Sequence, residues 1–546
     1  MKSIHNSASI AIILVISLCC FLPFIGSMNL YDWDEVNFAE MAREMLETKN
    51  WLQLQIGFVP FYEKPPLFIW MQALSMSVFG VNEFAARFPN VVCGVFTLII
   101  MYAVGKKLRG GAFGWLWILS YLVSFLPHLY FKSAIIDPWF NLFIFLAVYN
   151  FYLVYTKEST LQYQCMGSVF VACAFLTKGP VGLILSFVPF GIFLLMKRKS
   201  SYIVTKGIFV LILTLIISSS WFVYETYVHG FSYLKQFFLY QVRLFTTEDA
   251  EHGGFFLFHP VVLMLGCFPV SAFLFYRIKN TFEDKLEFEW CQLMLIVLVF
   301  VVVLFTIVQT KIVHYSSMAY FPLTYLAARN IEQIFKGDLI IHKANKWILY
   351  ILSFIWGLIL ILILLAGLNP AFVRNKAPDG FIKQALEAQV DWCTWEFGLG
   401  IIIVTALFLG LRYLSSYNIQ KGFIILMGTM IISNQFIIYR ILPKIEKYSQ
   451  GAMIDFIKSK SHELVYFNTI QLKSYAIYFY SKIKPYSEAA VKNREWMLFS
   501  ADLDRDCYFI ARTEDWIPLK PNAIGIIEEV ESKNGYVLLV SRKKLK

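Results

Sequence analysis

Asp32, Asp34 and Glu35 stand together in YDWDEVNFAEMAREM, residues 31–45, directly after the first apolar run of a chain that is 58% hydrophobic. Carboxylates grouped in this way serve as general acids or bases, orient a polar ligand, or stabilise positive charge developing in a transition state. Further ionisable residues follow at intervals: Glu63 and Lys64 ahead of Pro65 and Pro66, Asp137 in AIIDPWFN, and Lys178 in AFLTKGPVG. YQVRLFTTEDAEHGG brings Arg243, Glu248, Asp249, Glu251 and His252, and QTKIVHYSS brings Lys311 and His314. The four cations Lys64, Lys178, Arg243 and Lys311 are of the type that holds phosphate where water is scarce. Each residue also has a plain reading. Cations snorkel at an interface, acids are solvated there, and Asp32 caps a helix with Glu35 three residues on.

The elements that must position these residues are membrane helices. The 546 residues have a mean hydropathy of +0.60 and are 18% aromatic. Only 16% are charged, against about 25% in soluble domains. The apolar runs predict about 13 spans, near 8–26, 84–105, 112–127, 138–155, 163–177, 180–196, 204–224, 259–276, 290–309, 315–330, 347–367, 396–413 and 422–439. The first run lacks a small-residue cleavage site and reads as a retained span. KKLRGG at 106–111, KRKSSYIVTK at 197–206 and RIKNTFEDK at 277–285 fall on one side of that count. Basic connections prefer the cytoplasm, so the N-terminus is expected inside and the C-terminus outside. The formal charge of +11 then reflects basic loops and anionic lipid headgroups and calls for no nucleic acid.

This topology puts 27–83, 128–137, 225–258, 368–395 and the tail on the outer side. In the first loop Phe38, Met41, Ala42, Met45 and Leu46 recur at helical spacing, with Glu40, Arg43, Glu44 and Glu47 opposite. That pattern predicts an amphipathic helix lying in the interface, its charged face in water. From about Arg440 the chain changes character. HELVYFNT, CYFIART and GYVLLVSRKK read as strands and QLKSYAIYFYSK as a helix. The division is therefore a membrane domain, 1–440, and a small extracytoplasmic α/β domain, 441–546, whose plain reading is a stabilising appendage. The nine cysteines contain no CxxC pair; Cys393 and Cys507 alone could meet outside the membrane.

The stretches DWDEVNFAEMAREMLETKNW, PFYEKPPLFIWMQALSMSVFGVNEFAARFP, DPWFNLFIFLAVYNFY, FLTKGPVGL and TKIVHY resemble the bacterial lipid-linked sugar transferases of the GT-C fold. The likeness is to the 4-amino-4-deoxy-L-arabinose lipid A transferase group, with protein O-mannosyltransferases as more distant relatives, and it covers about residues 8–440. It implies an all-helical polytopic fold of about 13 spans with a soluble C-terminal domain. It also implies an inverting transfer of a sugar, an aminoarabinose-like pentose or a hexose, from polyprenyl (undecaprenyl) phosphate to lipid A or another envelope acceptor. The setting would be the outer face of the bacterial cytoplasmic membrane, among membrane lipids, with the enzyme a monomer.

By the same resemblance the first-loop acid is Asp34 and the second-loop acid Asp137. Glu63 and Lys64 match a pair associated with a divalent metal such as zinc and with the carrier phosphate. The family's metal-partner histidine falls in the loop that here reads YQVRLF, where Gln241 and Arg243 stand and His252 is the nearest substitute. Glu35, Tyr62, His314 and Tyr315 are expected to contact the acceptor or to support the site.

The chemistry suits these residue types independently of the likeness. A polyprenyl phosphate leaving group is a dianion that Lys64, Lys178, Arg243 and Lys311 would neutralise. A phosphate acceptor, with a second pKa of about 6, needs no base, and Asp34 would then orient it or stabilise charge at the anomeric carbon. A flippase would instead predict inverted repeats and ionisable groups near the midplane. A scaffold would leave the one-sided acids and lysines unexplained.

Overall fold

Helix Glu83–Arg109 shows how the chain ends its apolar segments. The Asn82 side chain accepts from the Ala85 N–H, Glu83 occupies the first turn, and Lys106, Lys107 and Arg109 occupy the last, each complementing the helix dipole. Gly110 then turns the chain at φ 96°, a conformation open to glycine at no steric cost. The computed structural model describes residues 2–156, 161–199, 202–247, 253–275, 284–377, 379–415, 418–484, 505–520 and 527–542.

The helices that matter for the site are α1 (Lys2–Phe21), α2 (Asp34–Thr48), α3 (Leu67–Phe79), α4 (Glu83–Arg109), α5 (Asp137–Thr156), α6 (Leu161–Lys178), α7 (Val181–Met196), α8 (Ile208–His229), α9 (Phe231–Thr246), α10 (Lys285–Ile307) and α11 (Tyr320–Lys336). Seven helices among the described residues are long and apolar enough to cross a membrane, and four shorter apolar helices accompany them. The chain is a multi-pass membrane protein.

Two expected spans take another form. The run at 259–276 divides into a helix, Phe258–Gly266, and a 3-10 turn, Val270–Phe273. The run at 315–330 divides into a 3-10 turn, Val313–Ala319, followed by α11, whose residues from Tyr320 to Ile334 are all buried, Arg329 included. Hydropathy measures exclusion from water and does not distinguish lipid from protein as the surrounding medium.

The loop between the first two expected spans departs from its expected form as well. Helix α2 has the predicted apolar stripe, yet its other face is also buried: Glu40 is 0% exposed, Glu44 1% and Arg43 5%. Arg43 pairs with Glu40 at 2.7 Å. Glu44 accepts from the Gly57 and Phe58 N–H groups of a hairpin between β1 (Gln55–Ile56) and β2 (Val59–Pro60). Burial, with Glu40 beside it, pushes the Glu44 carboxyl up to about 9. Periodicity located this helix but could not reveal that the C-terminal segment and the hairpin cover it.

That segment begins inside a helix. Residue 440, the expected boundary, lies within the continuous helix Ile419–Lys460. Beyond it β3 (Tyr466–Thr469), β4 (Cys507–Arg512), β5 (Glu528–Lys533) and β6 (Tyr536–Ser541) form a sheet in the order β3-β4-β6-β5, with only the β3–β4 pair parallel. Strand β6 is buried throughout, while β5 at the edge is exposed and reads EEVESK, charges that discourage edge-to-edge association. One apolar core joins the first loop to this segment, with Leu30, Phe38 and Met41 packed in the same cluster as Ile454, Tyr480, Tyr508 and Leu538. Cys393 and Cys507 are both free thiols.

Candidate active site

Four polar side chains from four parts of the chain, Asp34, Asp137, Lys178 and His314, meet at the ends of α2, α5 and α6 and in the turn before α11. Lys178 closes α6, and Gly179 follows at φ +85°, where an added Cβ would stand 3.0 Å from the Phe237 ring. The turn thereby fixes the lysine between α6 and α7. Lys178 Nζ donates to Asp137 Oδ1 at 2.6 Å. His314 Nε2 stands 3.5 Å from Asp34 Oδ2 and 3.8 Å from Asp137 Oδ2. Asn141 donates to Ser317 Oγ at 2.8 Å, and Ser317 Oγ in turn reaches Asp137 Oδ1 at 3.5 Å.

The two acids are not equivalent. The Asp34 side chain is 27% exposed and that of Asp137 is 2% exposed. The Asp34 side chain is therefore open to the cavity, whereas Asp137 is buried against Lys178 and His314. Asp34 lines, with Glu63, Lys64, Lys178, Arg243, His314 and Tyr315 among others, a cavity of about 580 Å³, and Asp137 stands behind that wall, paired with Lys178.

The cations divide by partner. Lys64 and Arg243 flank one ring, that of Tyr240, at 5.6 and 5.1 Å. Burial alone would depress the Lys64 ammonium, but Asp34, Tyr315, Glu63 and Asp137 outweigh it and hold the group above the ordinary lysine value. Lys64 therefore stays charged and is ready for an anion. Lys178 lines the same cavity with its charge already matched by Asp137 and its ammonium 4.9 Å from the Tyr315 ring. His314 goes the other way: burial lowers its value, against the pull of Asp137 and Asp34, so the imidazole is neutral at pH 7 and able to take a proton.

Several expected roles change. Lys311 is not part of the cavity wall; its ammonium donates to the Phe305, Thr306 and Val308 carbonyls at 2.5–3.1 Å and caps the end of α10, where orphan carbonyls attract a cation. Asp32 caps no helix. Its Oδ1 accepts from the Tyr475 N–H, and its own N–H donates to Gln450. Glu35 is spent on structure: it takes both arms of the fully buried Arg87 at 2.7 and 3.0 Å and accepts from the Tyr31 and Ala134 N–H groups. Arg87 also donates to the Ile25, Met28 and Asn29 carbonyls, pinning the loop that presents Asp34. Tyr62 lies one step away, in an adjoining cavity of about 370 Å³ shared with Glu63, Tyr240 and Arg243, its ring edge-on to Tyr233.

His252 lies outside the described residues, as do Glu248, Asp249 and Glu251. Among the described residues no three histidine, cysteine or acidic side chains converge as metal ligands. Glu63 instead shares its cavity wall with Lys64 and Arg243, whose charges would repel a divalent ion.

The tail contributes what the sequence reading missed. Lys473 lines the cavity, its ammonium 4.4 Å from the Trp33 ring, and Tyr475 meets that ring edge-on. Nothing in QLKSYAIYFYSK marks this lysine. Tyr240 and Arg87, by contrast, lay inside stretches already singled out, one beside Arg243 and the other in NEFAARFP.

The chain resembles the lipid-linked glycosyltransferases of the GT-C fold. A model of the family described as dolichyl-phosphate-mannose-protein mannosyltransferase matches residues 63–224. The undecaprenyl phosphate-alpha-4-amino-4-deoxy-L-arabinose arabinosyl transferase of Wigglesworthia glossinidia brevipalpis is 27% identical over 333 residues, covering 60% of this chain and 58% of that one. The protein of the same name from Shewanella sediminis is 27% identical over 276 residues, 49% of each chain. The matches thus span about half of these relatives' length. ArnT from Cupriavidus metallidurans, solved bound to undecaprenyl phosphate, superposes with a TM-score of 0.76 at 14% identity, over 98% of both chains, which shows a shared fold.

Proposed function

We propose that the protein transfers a sugar from a polyprenyl phosphate carrier to lipid A or another envelope acceptor, at the outer face of the bacterial cytoplasmic membrane. The observation that carries this reading is the single cavity in which an accessible acid, Asp34, stands beside a neutral imidazole, His314, with Lys64 and Arg243 flanking Tyr240. Lys64 and Arg243 hold the carrier phosphate and neutralise the charge that grows on it as the glycosidic bond breaks. Lys178, balanced by Asp137, adds less. Asp34 orients the acceptor or an amino group of the sugar and stabilises positive charge at the anomeric carbon. The acceptor oxygen displaces the phosphate in one step, with inversion. His314 takes the proton where the acceptor is a hydroxyl.

The basic ends of the helices are cytoplasmic in this reading, the N-terminus with them. The C-terminal segment lies outside, where Lys473 offers a further cation to the cavity. The relatives' printed names favour an aminoarabinose-like pentose and lipid A. The family model over residues 63–224 favours a second acceptor class, a protein hydroxyl. Mass spectrometry of lipid A and of envelope glycoproteins, from cells with and without the gene, separates the two. An unchanged envelope, together with no transfer by purified protein given undecaprenyl phosphate sugar and lipid A, would refute the proposal.

A further inference from the structure

At the far end of α5 and α6 from Asp137 and Lys178 lies a second cavity, of about 310 Å³. Phe151 and Val154 of α5, Gln164 of α6, Phe187, Phe190, Gly191 and Leu194 of α7, and the residues leading into α8 line it. Asp137 and Phe151 are fourteen residues apart on one helix, about 21 Å at the helical rise, so this space is separate from the catalytic cavity. Its flanks face the bilayer, with Ile192, Ile208 and Leu211 exposed.

Three polar groups interrupt the apolar lining. Gln164, 5% exposed, has its Nε2 buried without a hydrogen-bond partner, and the Tyr202 hydroxyl is in the same condition. Lys206 lies in the π-helical turn Ile203–Gly207 at the mouth and pairs with no carboxylate among the described residues. Buried donors left unmade are costly, and π turns cluster at functional sites. All three groups donate, so the matching ligand supplies acceptors.

We infer that this groove is a binding site for an anionic phospholipid, one acyl chain lying along Phe187, Phe190 and Leu194, its ester carbonyl oxygens accepting from Gln164 and Tyr202, and its phosphodiester on Lys206. Lys197 is paired with Glu289, but Arg198 and Lys199 beside it are exposed and add positive charge at the same end, which favours a headgroup without an ammonium. Phosphatidylglycerol meets that condition and phosphatidylethanolamine does not. The polyprenyl carrier has a phosphate but no ester carbonyl for Gln164 and Tyr202. The leaflet, though not the site, rests on the orientation proposed above and is the cytoplasmic one.

Gly191 provides the test, because a Cβ there meets nothing within 4 Å, so a larger side chain fills the groove without displacing a neighbour. Delipidated protein is given phosphatidylglycerol, phosphatidylethanolamine or undecaprenyl phosphate and read by native mass spectrometry and thermal unfolding. Wild type should retain phosphatidylglycerol and unfold a few degrees higher with it. Gly191→Leu should lose both effects while unfolding no earlier than wild type without lipid. Lys206→Gln, at the mouth and outside the packed core, should lose the preference over phosphatidylethanolamine. Gln164→Leu should weaken retention by about threefold or more. Equal retention of phosphatidylglycerol by Gly191→Leu, no preference among the phospholipids in wild type, or displacement of phosphatidylglycerol by undecaprenyl phosphate would each overturn the assignment. Because no transfer is measured, failure here leaves the proposed activity untouched.

Discussion

Helix α5 ends in two kinds of space. At Asp137 it borders a cavity of about 580 Å³ with an ion pair, a histidine and an accessible acid; near Phe151 it borders one of about 310 Å³ lined almost wholly by apolar side chains. The same helices serve both, so the difference lies in which residues cluster at each end. Charge inside a membrane protein persists where it is paired or faces a cavity. The Asp137 end meets both conditions, and the lining of the other cavity holds three polar donors, Gln164, Tyr202 and Lys206. Within DWDE the same contrast recurs at adjacent positions: Glu35 is consumed by Arg87, and Asp34 is left open to a ligand.

That contrast breaks most sharply at Asp34. Asp34→Asn should lower sugar transfer by two or more orders of magnitude, roughly the effect of one positioned acid–base group, with thermal stability near wild type. A near-normal rate in purified protein would make the pair structural throughout. Arg87→Met should do the opposite. Removing one partner of a buried pair costs about 3–5 kcal/mol, so the melting temperature should collapse and transfer should fail only because folding fails.

The pH dependence sharpens the comparison between Asp34 and His314. Burial lowers the His314 value below its ordinary 6.5, so the native protein binds that proton less readily than the unfolded chain does. Rate and stability should therefore both hold at neutral pH and fall as the pH drops below 6.5. The acid limb of the stability curve should flatten in His314→Asn. Lys473→Ala should raise the acceptor KM by about threefold to tenfold while leaving kcat and the melting temperature alone; an unchanged KM would return the tail to the role of an appendage. The smallest effect belongs to Lys311→Gln, which should leave carrier binding within about twofold of wild type and cost about 0.3–1 kcal/mol in stability, as expected of a helix-end cation.

Much of this was legible along the chain. Apolar runs located the helices, DWDE and EKPP marked the first loop, and TKGP marked the turn that sets Lys178. Illegible were the pairings that depend on distant segments. Arg87 stands 52 residues from Glu35, and Tyr475 stands 443 from Asp32. Lys311 read as a phosphate ligand because its type and side were right, while its three carbonyl partners are set by how α10 ends.

The sequence by itself determined a multi-pass membrane protein with acids and cations gathered toward one rim, because hydropathy and charge placement are local quantities read residue by residue. Only the tertiary structure decided which acid is free and which is spent, that Lys178 is already neutralised by Asp137, and that Lys473 of the tail reaches the cavity. Those outcomes turn on whether a charged group meets a partner or open space. Distances between segments far apart in the chain set that choice, and no window along the sequence contains them.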